Sequence, residues 1–494
     1  MAGADLNGER ADEVDVVVCG SGLAGCAAAL AAAGAGATVV VVEREPPGSA
    51  GGNSRVAQGE IAWPVDADAL VAYQRALNGE AVVPDDVLRA YAQEAVAQRA
   101  WVERLAADAG LELVRYPRGA EFPELPGAAC VAEAVKAPGL WGAFRDAVAR
   151  AGIPVLHRHR AVGLLRQEDA AVAGVACETP AGPVVLGARG GVVLCVGGHE
   201  NAGEETARRL RVPGVRFLGS PANTGDGLRL LEQVGARLWH DACAVEPGGI
   251  WPSLPVPGLA AAFLRDPGFP GRSWLELRAG SLERFGDETA DLAFTHYRVR
   301  GADGRWADSV WRTVERALLV LDEAALRAGP LGLQVEMGWS RLVDGHRWSP
   351  DNADEVERGW IVRAGSLAEL AARLGEDPAR LESAVARFDD AARARSDAEH
   401  GRDPTRMAPL AGPPYFAVVE APAIVATTGG GERDARARVL AADGAPIPGL
   451  YEAGELGSIF GGLYQNGSFL AECVAFGRIA GREAAGRAAR LATA

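Results

Sequence analysis

The feature that most constrains this chain is a glycine turn between a valine-rich run and an alanine-rich stretch. The run Val14–Cys19 has the composition of a strand that is buried on both faces. A Gly-x-Gly-x-x-Gly pattern follows it, and Thr38–Val42 forms a second valine-rich run. Glu43 closes that second run, eighteen residues after the last glycine of the pattern. This order predicts a dinucleotide-binding unit, and the alternative is a glycine-rich turn in another α/β fold.

Each position of the turn has a chemical reason. Gly20 allows the tight turn, Gly22 lets the backbone approach a pyrophosphate, and Gly25 lets the helix pack closely on the strand. The start of the helix offers free N–H groups and a partial positive charge. Glu43 is suited to accept hydrogen bonds from ribose hydroxyls, and it would repel the 2′-phosphate of an NADP-type ligand. The contacts predicted here are Gly20, Ser21, Gly22, Leu23, Ala24, Gly25, Glu43 and Arg44.

Composition excludes several classes of protein. Acidic residues exceed basic ones, 65 to 50, and the net charge of −15 argues against a nucleic-acid partner. The seven cysteines form no CxxC pair, which argues against a disulfide framework, a zinc ribbon or an iron–sulfur module and favours a reducing compartment. His157 and His159 have no third ligand spaced near them, so no metal site is predicted.

Two further observations bear on location. The apolar residues 14–42 are long enough to suggest a membrane span, but glycines interrupt them, and strand–helix–strand fits them better. The polar N-terminal residues contain no apolar signal segment. We therefore expect a cytoplasmic protein with no membrane partner.

The rest of the chain predicts an α/β fold with an insertion. Strands are expected at Ile153–Val162 and at Gly191–Gly198. Residues 239–360 contain eight of the eleven tryptophans, among loops rich in proline and glycine. We expect a discontinuous Rossmann-like domain formed by residues 1–238 and 361–494, with an α+β capping domain at 239–360.

Further motifs carry a family resemblance. Gly51-Gly52-Asn53-Ser54 follows the first unit, Gly449–Glu455 stands near the other end, and Thr224–Gly227 and Arg284–Glu288 lie between them. With these motifs the chain resembles the FAD-binding family of fumarate reductase and succinate dehydrogenase flavoprotein subunits. The soluble branch of that family includes 3-ketosteroid 1-dehydrogenase, urocanate reductase and tricarballylate dehydrogenase. The resemblance implies that FAD is the bound dinucleotide.

The resemblance also implies cofactor contacts beyond the first turn. Respiratory members attach FAD through a histidine that corresponds to Asn53, so we expect non-covalent FAD. Ser468 and Leu470 mark the start of the last helix, whose positive end would stabilise the reduced flavin. The implied contacts are Gly51, Gly52, Asn53, Ser54, Ala161, Val162, Gly197, Gly198, Asp226, Gly454, Glu455, Ser468 and Leu470.

The substrate is constrained by what replaces the family's charged groups. The resemblance implies hydride exchange between flavin N5 and a carbon next to an electron-withdrawing group. Dicarboxylate-reducing members hold a carboxylate with a histidine and an arginine, and Ala426 and Gln465 stand at those positions. We therefore do not expect fumarate or succinate. Residues 458–464 resemble the ketosteroid dehydrogenase segment, in which the Tyr464 O–H and the Ser468 N–H would polarise a substrate carbonyl. The alternative is that Tyr464 is a buried tyrosine packed beside the flavin.

The proton donor or acceptor is less constrained. Arg327, Tyr297 and Tyr116 are candidates, and each has a structural alternative. The expected function is a soluble FAD-dependent oxidoreductase that saturates or desaturates a carbon–carbon bond next to a carbonyl in an apolar small molecule. The reaction direction and the electron donor or acceptor stay open. The alternatives are a flavoprotein subunit of a larger electron-transfer complex and a non-catalytic FAD-binding protein.

Overall fold

The computed structural model describes residues 10–117, 119–168, 170–240, 249–259, 261–290, 292, 295–334 and 347–493. The chain divides into two compact units. The first unit comprises Met1–Leu210, Gly219–Gly248 and Ala426–Ala494, and the second comprises Arg211–Leu218 and Gly249–Val425.

The strands are, in chain order, β1 (Arg10–Cys19), β2 (Val39–Glu43), β3 (Glu60–Pro64), β4 (Val114–Pro117), β5 (Val131–Lys136), β6 (Val155–His157), β7 (Arg160–Arg166), β8 (Val172–Thr179), β9 (Gly182–Leu194), β10 (Arg216–Phe217), β11 (Leu238–Trp239), β12 (Trp251–Pro255), β13 (Ala262–Leu264), β14 (Trp274–Arg278), β15 (Arg298–Arg300), β16 (Trp306–Asp308), β17 (Ala317–Asp322), β18 (Ile361–Ala364), β19 (Tyr415–Ile424), β20 (Gly430–Gly431), β21 (Arg438–Leu440) and β22 (Pro446–Glu452).

The α-helices are α1 (Leu23–Gly34), α2 (Gly52–Val56), α3 (Ala67–Asn78), α4 (Asp85–Ala97), α5 (Arg99–Asp108), α6 (Leu140–Arg150), α7 (Glu204–Leu210), α8 (Asp226–Gln233), α9 (Glu323–Leu326), α10 (Ala353–Glu357), α11 (Leu367–Leu374), α12 (Pro378–Ala394) and α13 (Ser468–Ala492). Short 3-10 turns lie at Ala128–Cys130, Val310–Arg312 and Pro404–Arg406.

The first unit is built on an eight-stranded sheet in which β22, β9, β1, β2 and β6 are parallel neighbours in that order. β1 lies between β9 and β2 because its valines are buried on both faces, and Val17 pairs with Val192 on one side and Val40 on the other. The carboxyl ends of these strands share one edge. The first glycine turn, Glu43 and the residues that follow β9 and β22 therefore come together there.

Small residues allow two helices of this unit to pack closely. α1 runs alongside α13, and a Cβ on Gly477 would lie 2.6 Å from the Ala24 carbonyl oxygen. A Cβ on Gly481 would lie 2.2 Å from the Ala28 carbonyl oxygen. The small alanine side chains of α1 thus let its backbone lie close to α13. Among the described residues, no helix is both long and apolar enough to cross a membrane.

One predicted strand is two strands in the structure. Residues 153–162 were expected to form a single strand, but β6 ends at His157 and β7 begins at Arg160. Arg158 adopts a left-handed conformation with φ 60°, which breaks the extended backbone. β6 pairs in parallel with β2, whereas β7 pairs antiparallel with β8.

The second unit contains a seven-stranded sheet around β19, which pairs with β10, β12, β17 and β18. One face packs against α11 and α12 through a cluster that includes Leu318 and Phe388. The other face holds a cluster that includes Trp274 and Trp348, which are 1% and 5% exposed. Trp274 and Trp348 are therefore part of the hydrophobic core of the second unit. Trp339 lies outside the described residues.

The second unit extends beyond the boundary expected from the sequence. The capping domain was expected to end at residue 360, but β18, α11, α12 and β19 belong to the second unit. Val418 of β19 pairs with Leu319 of β17 and with Ile361 of β18, so the sheet continues where the tryptophan-rich composition stops. Ser366 caps α11, since its Oγ accepts a hydrogen bond from the Glu369 N–H over 3.1 Å.

Candidate functional site

The turn after β1 requires glycine for steric reasons. Gly20 has φ +97°, and a Cβ there would lie 2.2 Å from the Cys195 carbonyl oxygen. A Cβ on Gly25 would lie 1.9 Å from the Gly20 carbonyl oxygen, so α1 crosses the turn at backbone contact distance. Gly22 caps α1 without a side-chain hydrogen bond. This leaves the start of α1 as a backbone cradle for an anion.

Glu43 lies beside this turn at the end of β2. Its carboxylate is 5% exposed and accepts hydrogen bonds from the Ser21 N–H over 3.0 Å and the Glu45 N–H over 2.9 Å. These contacts fix the carboxylate at the edge where the dinucleotide fingerprint places the ribose. Two further implied cofactor contacts lie in β7, where Ala161 is buried and the Val162 carbonyl accepts a hydrogen bond from Gln233 over 3.0 Å.

The second glycine segment packs against the first turn. Ser54 Oγ accepts a hydrogen bond from the Leu23 N–H over 3.0 Å. Gly51 has φ +102°, and a Cβ there would lie 2.4 Å from the Trp141 ring. Trp141 is itself fixed, because its indole N–H donates to the Ser21 carbonyl over 2.7 Å. The structure therefore brings together two predicted segments, in which the bonded residues Leu23 and Ser54 are 31 positions apart.

A buried amide and carboxylate network follows the second segment. Asn53 Nδ2 donates to Glu200 Oε1 over 2.7 Å and to Glu455 Oε2 over 3.0 Å, and its Oδ1 accepts from the Ser220 N–H over 2.7 Å. Asn223 Nδ2 donates to Glu200 Oε1 over 2.6 Å. The Asn53 side chain thus lies between two acids and donates a hydrogen bond to each.

Glycine also makes room for these acids. A Cβ on Gly198 would lie 2.4 Å from Glu455 Oε1 and 2.8 Å from Glu200 Oε2. A Cβ on Gly197 would lie 2.5 Å from Asn223 Oδ1. Gly197 and Gly198, both predicted as cofactor contacts, therefore leave the space that the Asn223, Glu200 and Glu455 side chains occupy. Gly454, with φ +86°, forms the turn that precedes Glu455.

Burial changes the acidity of the two carboxyl groups. It raises the pKa of Glu200 well above its ordinary value, and the neighbouring charge of Glu455 raises it further. Burial also raises the pKa of Glu455. Within the described part of the chain neither acid forms an ion pair with an arginine or lysine. The pair is therefore favoured with a shared proton, so that it presents both a donor and an acceptor.

Arg44 and Asp226, which were both expected at the cofactor, form an ion pair over 3.2 Å. Arg160 also binds Asp226, over 2.7 Å, and Arg229 is a third partner. Burial alone would raise the pKa of Asp226, but the hydrogen bond and charge of Arg160 and the other arginines lower it. Asp226 thus remains ionised and ties the residue after β2 to the start of α8.

The start of α13 carries the predicted substrate-polarising groups. Gly467, with φ +84°, caps the helix, and Ser468 is buried and begins it, with Leu470 half-buried beyond. The Ser468 N–H donates to the Gln465 carbonyl over 3.1 Å, whereas the Phe469 N–H donates to the Tyr464 hydroxyl oxygen over 3.2 Å. The Tyr464 O–H and the Ser468 N–H were expected to donate together to a substrate carbonyl, and in the structure a turn with Gln465 uses the Ser468 N–H.

The environment of Tyr464 keeps its hydroxyl protonated. The residue is 9% exposed, and burial raises its pKa. A hydroxyl that accepts an N–H bond is a better donor to a third group. Gln465 beside it is buried and neutral, and its Oε1 accepts from the Tyr73 hydroxyl over 3.0 Å. Ala426 is also buried, and like Gln465 it supplies no charge at the positions compared above with the histidine and arginine of dicarboxylate-reducing members.

The two candidates in the second unit have different environments. The Arg327 side chain is 77% exposed and pairs with Glu323 over 2.6 Å, as a surface arginine does. Tyr297 is 5% exposed, has φ 57°, and lies 5.0 Å from the Trp251 ring between centroids. The structure thus lends no support to Arg327 as a catalytic group and leaves Tyr297 as the buried candidate.

Sequence reasoning missed four residues of this region. Glu200 and Asn223 complete the network around Asn53, Trp141 packs on Gly51, and the Thr427 N–H donates to Glu455 Oε1 over 3.0 Å. A signal existed for two of them, since Glu200 follows the Gly197-Gly198 turn and Asn223 precedes the Thr224–Gly227 motif. No signal in the sequence singles out Trp141 or Thr427.

Comparison with known proteins also indicates an FAD-binding chain. A family model described as an FAD binding domain matches residues 15–469. A 3-oxosteroid 1-dehydrogenase of Mycobacterium tuberculosis is 26% identical over 375 residues, which cover 71% of this chain and only 63% of that relative. A vinyl phenol reductase of Lactiplantibacillus plantarum is 24% identical over 509 residues, which cover 96% of this chain and 97% of the relative.

A solved structure shows the same fold. The 3-ketosteroid delta1-dehydrogenase from Sterolibacterium denitrificans superposes with a TM-score of 0.72 at 21% identity, and the match covers 96% of this chain and 100% of the other. The α/β class with a parallel sheet that the sequence predicts is confirmed.

Proposed function

Because this chain belongs to the FAD binding domain family, we propose that it is an FAD-dependent oxidoreductase that adds or removes hydrogen across a carbon–carbon bond next to a carbonyl. The family and the FAD cofactor expected from the sequence are confirmed. Tyr464 carries the proposal for the reaction, because its buried hydroxyl is held at the positive end of α13 by the Phe469 N–H.

The residues present fit an FAD molecule. In the cradle from Gly20 to Gly25, a Cβ on Gly22 would meet Ser54 Oγ at 3.5 Å and the Gly51 carbonyl oxygen at 3.6 Å, so its absence leaves the backbone open to a pyrophosphate. Glu43 suits a ribose, and Gly51–Ser54 lies against the same turn. Glu455, with the protonated partner Glu200, offers an acceptor for hydroxyl groups. When bound, FAD supplies a ring system that exchanges a hydride with carbon.

We propose that FAD is held without a covalent bond. A carboxamide is not a nucleophile, so Asn53 cannot make the attachment that a histidine makes. Its amide nitrogen and oxygen are already engaged with Glu200, Glu455 and Ser220. The side chain therefore supports the cofactor site through hydrogen bonds.

The substrate we propose is a neutral carbonyl compound. The Tyr464 O–H would donate to its carbonyl oxygen, and the partial charge at the start of α13 would stabilise negative charge that develops there. Polarisation of the carbonyl acidifies the adjacent C–H bond, whose proton passes to or from a protein base as the hydride leaves or arrives. Tyr297 is the candidate that we retain for this proton. The uncharged Gln465 and Ala426 argue against a dicarboxylate.

We also infer that the protein works in the cytoplasm with a separate electron donor or acceptor. Six cysteines are free and buried, which suits a reducing compartment. Cys243 lies outside the described residues.

A flavin-bleaching screen tests the proposal. The purified protein should be yellow and should release free FAD on denaturation. A panel of neutral saturated ketones should bleach the oxidised flavin without oxygen, or a panel of enones should restore the colour of the reduced flavin. Succinate and fumarate serve as the matched charged panel. A response to those two alone would contradict the substrate class. FAD binding with no response to any compound would contradict the enzyme and favour a non-catalytic protein.

A further inference from the structure

A cavity of about 390 Å³ lies on the first unit at the β21–β22 edge of its sheet. Three segments line it: the strand β21 with the residues before it, the strand β22, and the end of α13. The lining side chains that matter here are Arg436, Arg438, Tyr451, Glu483, Arg487 and Arg490. None of them is among the residues assigned to FAD or to substrate.

The cavity carries two positive charges without a counterion. Arg436 pairs with Glu483, and Arg438 pairs with Asp434. Among the described residues, neither Arg487 nor Arg490 forms an ion pair, and Arg487 Nη1 donates to the Arg189 carbonyl over 2.7 Å. The chain as a whole has a net charge of −15. Two arginines without an acidic partner therefore lie at one cavity of a protein that is acidic as a whole.

The unpaired arginines converge on one spot. The guanidinium of Arg487 lies over β22, since a Cβ on Gly449 would be 3.3 Å from its Nη1. Burial raises the pKa of Tyr451, which is 3% exposed, and the charges of Arg487, Arg490 and Arg436 lower it against the opposing charge of Glu483. The Tyr451 hydroxyl donates to the Glu483 carbonyl over 3.5 Å, so this side chain marks the place where the guanidinium charges act together and is not itself a free donor.

Stabilisation of a helix end does not account for this arrangement. A basic residue in the last turn of α13 interacts favourably with the helix dipole, and Arg490 occupies that turn. Arg487 instead reaches across to Gly449, and Arg436 and Arg438 come from a different segment. The convergence thus needs another explanation.

We propose that this cavity binds the phosphate group of a small organic or inorganic phosphate. Guanidinium groups fit phosphate oxygens in pairs, and a phosphate monoester carries a charge of about −1.5 to −2 near neutral pH, which matches the two surplus charges. The volume is within the range of small-molecule sites, which runs from about 300 to about 1,000 Å³. The inference goes beyond the proposed redox reaction and does not depend on it.

Calorimetric titration of the FAD-loaded protein tests the proposal. Loading with FAD fills the other pyrophosphate-binding cradle, so the heat reports this cavity. The probes are inorganic phosphate, pyrophosphate and AMP, each at constant ionic strength, with sodium chloride as the blank. Saturable binding to one site is expected. Tighter binding of AMP than of phosphate indicates a nucleotide source, and equal binding indicates the free anion.

Four variants distinguish a specific phosphate site from a general effect of surface charge. R490E and R487E are expected to weaken binding at least tenfold, and R490K is expected to weaken it severalfold because it keeps the charge and loses the planar fork. R373E changes the net charge equally at an exposed helix position and should bind as the wild type does. Thermal unfolding checks that each variant folds, and R490K serves if R487E does not. Absence of saturable binding in the wild type, or equal affinities for R490E and R373E, would overturn the proposal.

Discussion

The side-chain amide of Asn53 donates a hydrogen bond to the Glu455 carboxylate over 3.0 Å, although 402 residues separate them in the chain. The same nitrogen is 2.7 Å from Glu200 Oε1. One neutral donor therefore joins two buried acids at the edge where five parallel strands end.

Asn53 should be required for tight FAD binding. N53A removes the shared donor and leaves both carboxylates without it, so we expect the affinity for FAD to fall about tenfold, as for the loss of one buried hydrogen bond to a charged group. N53D has the same shape but adds a third acid, and its loss should be larger and should grow as the pH rises. Titration of apoprotein with FAD at two pH values measures both. Equal affinities for N53D and wild type at high pH would contradict the network.

Gly51 should not tolerate a side chain. G51A would place a Cβ 2.4 Å from the Trp141 ring at a residue with φ +102°. The combined strain should lower the free energy of unfolding by on the order of 2 kcal/mol and weaken FAD binding. G48A is the matched control, because a Cβ at Gly48 meets nothing within 4 Å. Chemical denaturation measures the free energy of unfolding of both variants. Equal values would show that the Trp141 ring moves aside without cost.

Removal of the Tyr464 hydroxyl should slow turnover but leave FAD bound. Y464F deletes one donor to the substrate carbonyl, a loss worth about 10² in kcat for comparable donors. Y415F, on β19 of the second unit, is the control for loss of a tyrosine hydroxyl. Stopped-flow bleaching with the best substrate of the screen gives the rate. An unchanged rate for Y464F would assign the residue to packing beside the flavin.

Glu452 should make stability depend on pH. Burial raises its pKa to about 8 from 4.5, while Arg433 and the Gly431 N–H oppose the shift. The folded protein then holds a proton that the unfolded chain releases above pH 4.5, so this residue's contribution falls as the pH rises towards 8. The fall amounts to at most about 1.4 kcal/mol for each pH unit.

The E452Q variant isolates that contribution. Its stability relative to the wild type should increase between pH 5 and pH 8, because the amide has no proton to lose. E382Q, at an exposed position on α12, should show no such trend. Urea denaturation at several pH values measures the difference. A constant difference between E452Q and wild type across this range would show that Glu452 does not titrate there.

Much of the cofactor site followed from local sequence. Gly25 is required by a contact within the turn and Gly20 by one with Cys195 after the adjacent strand β9, and Glu43 ends the strand next to them. Spacing along the chain encodes such contacts, so the turn was predictable. Ser468 was predicted correctly as the start of α13, but its N–H was assigned to the substrate and belongs to a turn with Gln465. A single backbone hydrogen bond of this kind leaves no mark in the sequence pattern.

The domain boundary shows a second limit. Tryptophan content placed the end of the insertion at residue 360, whereas pairing of β19 with β17 and β18 extends the second unit to Val425. Strand pairing is decided by which edges meet, and composition does not record it.

The strand–turn–helix unit, the dinucleotide class and the uncharged residues at positions 426 and 465 could be predicted from the sequence, because each depends on neighbours in the chain or on residue chemistry alone. The buried network of Asn53, Glu200, Asn223 and Glu455 could not, because its members meet only in the folded chain. The parallel strands bring their carboxyl ends to a common edge, where burial raises the pKa of both acids and favours one proton held between them.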